Sequence, residues 1–561
     1  TLGSTIGIAG PVNIYGGHIT LNQSVTSTAA GQGIKIKGAG NIVIAASKSV
    51  QTNGGDITLW ADTDANGGYI YLNDGVNLDS RTNANRTASL TSTAAGGGAI
   101  TLGGGSAGTN LASGTNVPTG YAWQNTSTLT AGVLFGTETG AGHNSNIKLY
   151  SGGGDVVVRG KSSTAYSTES HGIASYEGLN IDTGTTGSIT FDGQATGTST
   201  YSTGIYMGWR ATPTTATLLR TANGNLTMTG TASGATYNRG LAYAASTQPI
   251  TLEATGTGAL TFNGNGATQD LIAYNSNFLA ASGAISFNNS GAGTFYTDTA
   301  TSTVGFKSGS HVTASSSNVT ITDDSFSITS GKGLQINTSG AVVVESPGTS
   351  FVSTGIDLTS IAIAGSPSSV RFGKTTNTSD ITLSSSVVSG GPITADGGKL
   401  VFTGTWQTTT ANSDITVRAK TSIMNTALTT LTTAGGNILL ASNVDDATDG
   451  DTTTNGFVQL RGGLVATTNG GNITIGGGNT LGTSYAMGSS AEDYTEGARF
   501  DIRFNLSSGG GNIAIRGKSY ARAVQSGWGA SGFGVYFLSA SDSIDSGSGT
   551  IYIDGYSQTS G

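Results

Sequence analysis

The sequence predicts an all-β fold, a parallel β-helix of stacked coils, on three observations. Short apolar–polar–apolar triplets recur from one end to the other, glycine pairs introduce them, and the whole pattern returns at a longer period.

The triplets come first. Ile19–Leu21, Ile34–Ile36, Ile42–Ile44, Ile57–Leu59 and Ile70–Leu72 start at intervals of 15 (34 − 19), 8 (42 − 34), 15 (57 − 42) and 13 (70 − 57) residues. Alternation of this kind puts two side chains on one face of a strand and the Thr, Lys, Val or Tyr between them on the other. The intervals leave room for turns and none for crossover helices, and helical spacing is nowhere sustained. An antiparallel sandwich would close within about 100 to 150 residues and show linkers. A parallel solenoid stacks without limit; at roughly 20 to 25 residues per coil it predicts about 25 coils, a rod of about 120 Å and no helical domain.

The glycine pairs come second. Gly54-Gly55-Asp56-Ile57-Thr58-Leu59-Trp60 has close copies beginning at Gly16, Gly97, Gly435 and Gly470. Glycine reaches positive φ cheaply, which suits a tight turn before each strand. Trp60, one place beyond Leu59, is expected to face outward.

The long period comes third. GGGDVVVRGKS from Gly152 returns as GGGNIAIRGKS from Gly509 (509 − 152 = 357), Gly54 returns as Gly435 (435 − 54 = 381), and Ile189–Gly193 returns as Ile551–Gly555 (551 − 189 = 362). Residues 1–193 therefore hold a first copy, with a core unit of 11–193. Residues 194–391 are less regular coils, and 392–561 form a second, partial copy.

Composition narrows the class. Glycine makes up 90 of 561 residues without a Gly-X-Y period, which removes collagen. Evenly spread apolar residues at 36% argue against disorder. Charge is sparse, with 24 basic and 32 acidic residues, and the Lys and Arg are scattered singly, so no nucleic-acid partner is expected. Cysteine is absent, which removes disulfides and thiolate metal sites, and no run of 18 apolar residues marks a transmembrane segment. The chain begins at Thr1 without a leader pattern and stops one short loop after a strand-like stretch, as an internal piece of a longer repetitive protein would.

The stretches GPVNIYGGHITLN (10–22), GNIVIAAS (40–47), TNGGDITLWAD (52–62) and GGNITIGGG (470–478) resemble the repetitive regions of giant bacterial surface exoproteins. Those of the filamentous-haemagglutinin type are the best known, and very large gliding-motility adhesins look similar. The resemblance implies a right-handed β-helix, secretion to the cell surface, and adhesive or filament-forming work. The implied partners are a surface polysaccharide, a host or substratum surface, and other copies or flanking coils of the same chain. The Asn-Pro-Asn motifs of two-partner secretion are absent.

Candidate chemistry is thin. His18, His143, His171 and His311 stand far apart with no ligand spacing and are expected to face solvent. No nucleophile elbow is present, and the chain is expected not to be an enzyme. The alternatives are a polysaccharide-acting β-helix enzyme and a purely structural filament or surface-layer subunit. For the enzyme, the carboxylate pairs are Asp182 with Asp192 and Asp545 with Asp554; for these, turn capping is the ordinary explanation. Asp62-Thr63-Asp64-Ala65-Asn66-Gly67 opens like a calcium loop, although Asn73 stands at the twelfth position in place of the bidentate Glu. Its expected counterpart is the run Asp445–Asp451. Asp62, Asp64, Asn66, Asp445, Asp449 and Asp451 are thus the calcium candidates, with no other cofactor. Trp60, Trp123, Trp209, Trp406 and Trp528 could stack on sugars or pack against neighbouring coils. The varying loop lengths argue against a flat Thr array.

Overall fold

In the computed structural model the all-β expectation holds, with long parallel sheets stacked in order, consistent with a parallel β-solenoid. The structure describes all residues except 1–2, 87–94, 127, 138–145, 164–167, 177, 198–199, 209–214, 235, 245–247, 298–301, 306–314, 329–332, 385, 446–455, 479, 481–483, 490–494, 521–531, 540–541 and 558–561. Among the described residues the one helix is the single turn Asn83–Arg86.

The chain forms two compact units, Thr1–Asp323 with Lys332–Leu334, and Asp324–Gly331 with Gln335–Gly561. In each, a coil visits three walls in turn. In the first unit, strand Ile57–Ala61 lies on wall one, Ile70–Leu72 on wall two and Asn77–Asp79 on wall three, before Ile100–Asn110 returns to wall one. In the second, Ile415–Ala419, Ile423–Asn425 and Thr429–Thr432 do the same before Ile438–Ser442. Pairing is in register from coil to coil: Ile34 with Ile57, Ile57 with Ile100, and Ile100 with Val156. The steps are 23 (57 − 34), 43 (100 − 57) and 56 (156 − 100) residues, because loops of different length leave the walls without disturbing their register.

The inward residues of the triplets are buried as their alternation dictates, and under the hairpin Thr58 and Thr101 between them are buried as well. Ile57, Leu59, Ile100, Leu102, Ile438 and Leu440 are all fully buried or nearly so. In the first unit the inward column widens into aromatics, with Phe262 lying 4.9 Å from Phe278 and 5.0 Å from Phe287. On wall one the half-exposed residues between them line up as Thr190, Thr227, Thr261, Ser286 and Thr320. The varying loop lengths leave this single column of hydroxyls in register. Wall two departs from alternation. Its in-between residues Leu134, Ala174, Tyr206, Ala242 and Ile272 are also buried and pack as a second apolar cluster.

The glycine pair has two separate tasks. In the pairs at Gly54, Gly435 and Gly470 the first residue takes positive φ, 80°, 86° and 122°, whereas Gly16 and Gly97 do not. In the pairs that precede wall-one strands the second is a contact point between coils: a Cβ on Gly98 would sit 2.3 Å from the carbonyl carbon of Gly55, and one on Gly154 would sit 2.3 Å from that of Gly98. Buried hydroxyls then satisfy the glycine carbonyls, as Ser80 Oγ does for Gly98 at 2.6 Å and Thr183 Oγ1 for Gly187 at 2.6 Å. The residue after the pair completes the turn. Asn437 Oδ1 accepts from the Asn472 amide N–H at 2.9 Å, Asn472 Oδ1 from that of Asn512 at 2.8 Å, and Asn512 Oδ1 from that of Thr550 at 2.9 Å.

Candidate functional site

The acidic loop at Asp62 begins where strand Ile57–Ala61 ends. Asp62 takes positive φ, 54°, and is 3% exposed. Its Oδ1 accepts the Gly67 amide at 2.6 Å, closing the loop on itself. Burial, with Asp64 adding to it, pushes its carboxyl up to about 6 against the lowering effect of these backbone donors. Asp64 Oδ1 accepts the Asn66 amide at 3.2 Å, and the Asn66 carbonyl accepts from Asn125 Nδ2 at 2.6 Å.

Oxygens that a calcium loop would turn on its ion are here engaged by the loop and by Asn125. Among the described residues no group of three or more His, Cys, Asp or Glu is placed to hold a metal. Asp64 and Asn66 also border an open cleft of about 450 Å³ with His18, Asn41, Asn125 and Thr126. In that cleft His18 Nδ1 accepts the Asn41 amide at 3.1 Å, which leaves the proton of the neutral ring on Nε2.

The second copy of this corner is not at Asp445. Asn443 stands in the place of Asp62 (443 − 62 = 381), with φ 55° and 2% exposure. The two corners share their backbone bonds, Asp62 N–H to Gly40 O and Asn443 N–H to Thr421 O. The acid run lies in an insertion after that corner. Asp445 is exposed, and Asp449 and Asp451 lie outside the described residues.

The carboxylate pairs resolve into separate partners. Asp182 Oδ1 accepts the Gly184 amide at 2.8 Å, and Asp545 Oδ1 accepts that of Gly547 at 2.8 Å, so both cap turns at matching places (545 − 182 = 363). Asp182 also pairs with Arg220 at 2.8 Å. Asp192 and Asp554 stand on wall one instead, each bound to a tyrosine: Tyr121 Oη donates to Asp192 Oδ2 at 2.7 Å and Tyr485 Oη to Asp554 Oδ2 at 2.5 Å. Sequence reasoning missed both tyrosines. The signal was available in their offset (485 − 121 = 364), close to that of the aspartates.

Packing accounts for Trp60 and Trp406. Trp60 points away from the coil interior but is 2% exposed, because the hairpin Ile100–Asn110 with Asn116–Gly120 folds over it. Its Nε1 donates to the Gly105 carbonyl at 2.6 Å and Lys37 Nζ lies 3.9 Å from the ring centre. Trp406 is fully buried against Phe402. Trp123 is half-exposed and donates to Ser163 Oγ at 2.8 Å. Trp209 and Trp528 lie outside the described residues. His18 is exposed, whereas His171, expected in solvent, is 2% exposed and stacks on Tyr206 at 4.8 Å. His143 and His311 lie outside the described residues.

Comparison with protein-family models, with curated proteins and with solved structures gave no match. No helix among the described residues is long and apolar enough to cross a membrane.

Proposed function

We propose that this chain is a rod-forming segment of a secreted giant adhesin or cell-surface filament, a right-handed β-helix that presents loops for attachment and performs no catalysis. One observation carries the proposal. A loop of changeable length springs from a constant root on wall one. At the root, a Cβ on Gly104 would meet the Tyr121 carbonyl oxygen at 2.4 Å, and one on Gly477 would meet that of Tyr485 at 2.4 Å. Between these fixed points the first copy runs 17 residues (121 − 104) and the second 8 (485 − 477). A scaffold that holds the root and varies the tip is the economy of a display surface. The turn residues fit the same picture, since their amides and hydroxyls serve the stacking of coils.

Antibody raised against the chain tests the reading. It is expected to label intact, unpermeabilised cells and to detect a native species several times heavier than 55.8 kDa. Labelling only after permeabilisation would overturn it.

A further inference from the structure

The two copies differ at most outward positions of wall one, yet one cluster is kept. Val157 is replaced by Ala514, Thr190 by Tyr552, Gln194 by Tyr556 and Trp123 by Met487. Arg159, Lys161, Asp192 and Tyr121 return unchanged as Arg516, Lys518, Asp554 and Tyr485. None of the eight contributes to the coil interior, so packing does not account for their recurrence.

Much of the geometry is kept with the identities, although Arg516 also lies 4.6 Å from the Tyr552 ring centre where the first copy has Thr190. Arg159 pairs in register with Asp192, as Arg516 does with Asp554. The lysine follows two places along the same strand and so projects from the same face, roughly 7 Å away. It lies over an aromatic ring in both copies, Lys161 5.4 Å from the Trp123 centroid and Lys518 5.4 Å from that of Tyr556, although the ring comes from a different strand position each time. The aspartate accepts the tyrosine hydroxyl in both. Each copy thus sets two cations beside one carboxylate that already holds a donor, Asp554 accepting from Tyr552 at 3.0 Å as well as from Tyr485.

We infer that this repeated Arg–Lys–Asp–Tyr cluster binds the carboxylates of an acidic polysaccharide, one site in each copy. The inference rests on the adhesive reading and gives its ligand a chemical class. Arginine and lysine at this spacing suit carboxylates carried on a sugar chain, and the neighbouring aspartate and tyrosine suit its hydroxyls. Nucleic acid fits less well: its phosphates are dense, and binding them requires many clustered cations, whereas each site has two on an acidic chain.

The test is titration of the full chain with polygalacturonate, with its neutral methyl ester and with double-stranded DNA. Saturable binding to polygalacturonate is expected, weakening as salt rises and failing with the ester. R159Q with K161Q, or R516Q with K518Q, should remove about half of the sites, and all four changes together should weaken binding at least about ten-fold. Unchanged circular dichroism of the variants would show that folding is intact. Equal binding of the ester, or wild-type binding by the fourfold variant, would overturn the inference while leaving the adhesive reading standing. Preference for DNA, or no binding to any probe, would also overturn it. Cell-surface labelling decides the adhesive reading independently of all these outcomes.

Discussion

Arg220 serves two carboxylates from neighbouring coils, lying 2.8 Å from Asp182 Oδ2 and 3.9 Å from Glu253 Oε1. The division is unequal. Glu253 is fully buried, and neither of its oxygens has a hydrogen-bond partner. Burial pushes its carboxyl up to about 7, Arg220 opposing and Asp182 adding to the rise. The folded chain therefore holds this proton more tightly than the unfolded chain does. Its contribution is full below the ordinary value of 4.5 and is lost as pH rises through about 7. The urea midpoint of the first unit should fall across that window, and Glu253→Gln should flatten the fall, which amounts to about 3 kcal/mol. An equally steep fall in the variant would disprove the assignment.

Asp62 supplies a second test of the same sign, between 3.8 and about 6. Its twin Asn443 shows that a neutral amide fits the same left-handed corner. Asp62→Asn should fold and gain stability at pH 7, by about 1 to 3 kcal/mol, with little change at pH 3.5. Calorimetric melting at the two pH values measures this. A loss of stability at pH 7 would show that the charge itself is required, and recovery of that loss on adding calcium would point to an ion.

Gly98→Ala should destabilise the first unit by about 1 to 3 kcal/mol or more, because the new methyl meets backbone that cannot swing aside. Gly17→Ala is the matched control, with nothing within 4 Å of its added Cβ. Similar urea midpoints for the two would refute the idea that the second glycine exists for close stacking.

Asn472→Ala removes the acceptor for the Asn512 amide and leaves the donor of residue 472 in place. The expected cost is about 1 kcal/mol, seen as roughly five-fold faster hydrogen exchange at the Asn512 amide. Exchange at Asn437 should be unaffected, since that amide bonds to Asp414.

Legibility in the sequence followed the range of the interaction. Ile57 and Leu59 disclose their burial by local alternation, and Gly54 discloses a turn by its chemistry. Trp60 obeys the same alternation yet is buried, because the hairpin that covers it comes some forty residues later and is joined to it by one hydrogen bond and by close packing. The apolar cluster around Leu134 and Tyr206 is hidden in the sequence for a related reason: its members come from different coils, and only the register assembles them. Asn443 and not Asp445 holds the corner, because an insertion moved the acidic residues while the corner stayed put. At Asp192, Tyr121 arrives from 71 residues away, beyond the reach of any short motif.

The asparagine ladder has a direction. At every step the accepting side chain belongs to the earlier coil and the donating amide to the later one. A chain that emerges with its amino end first would find, at each turn, a finished rung already offering its oxygen to the segment still arriving. The oldest coil becomes the template for the next, and the protein can lengthen as a growing edge, without waiting for its far end to exist.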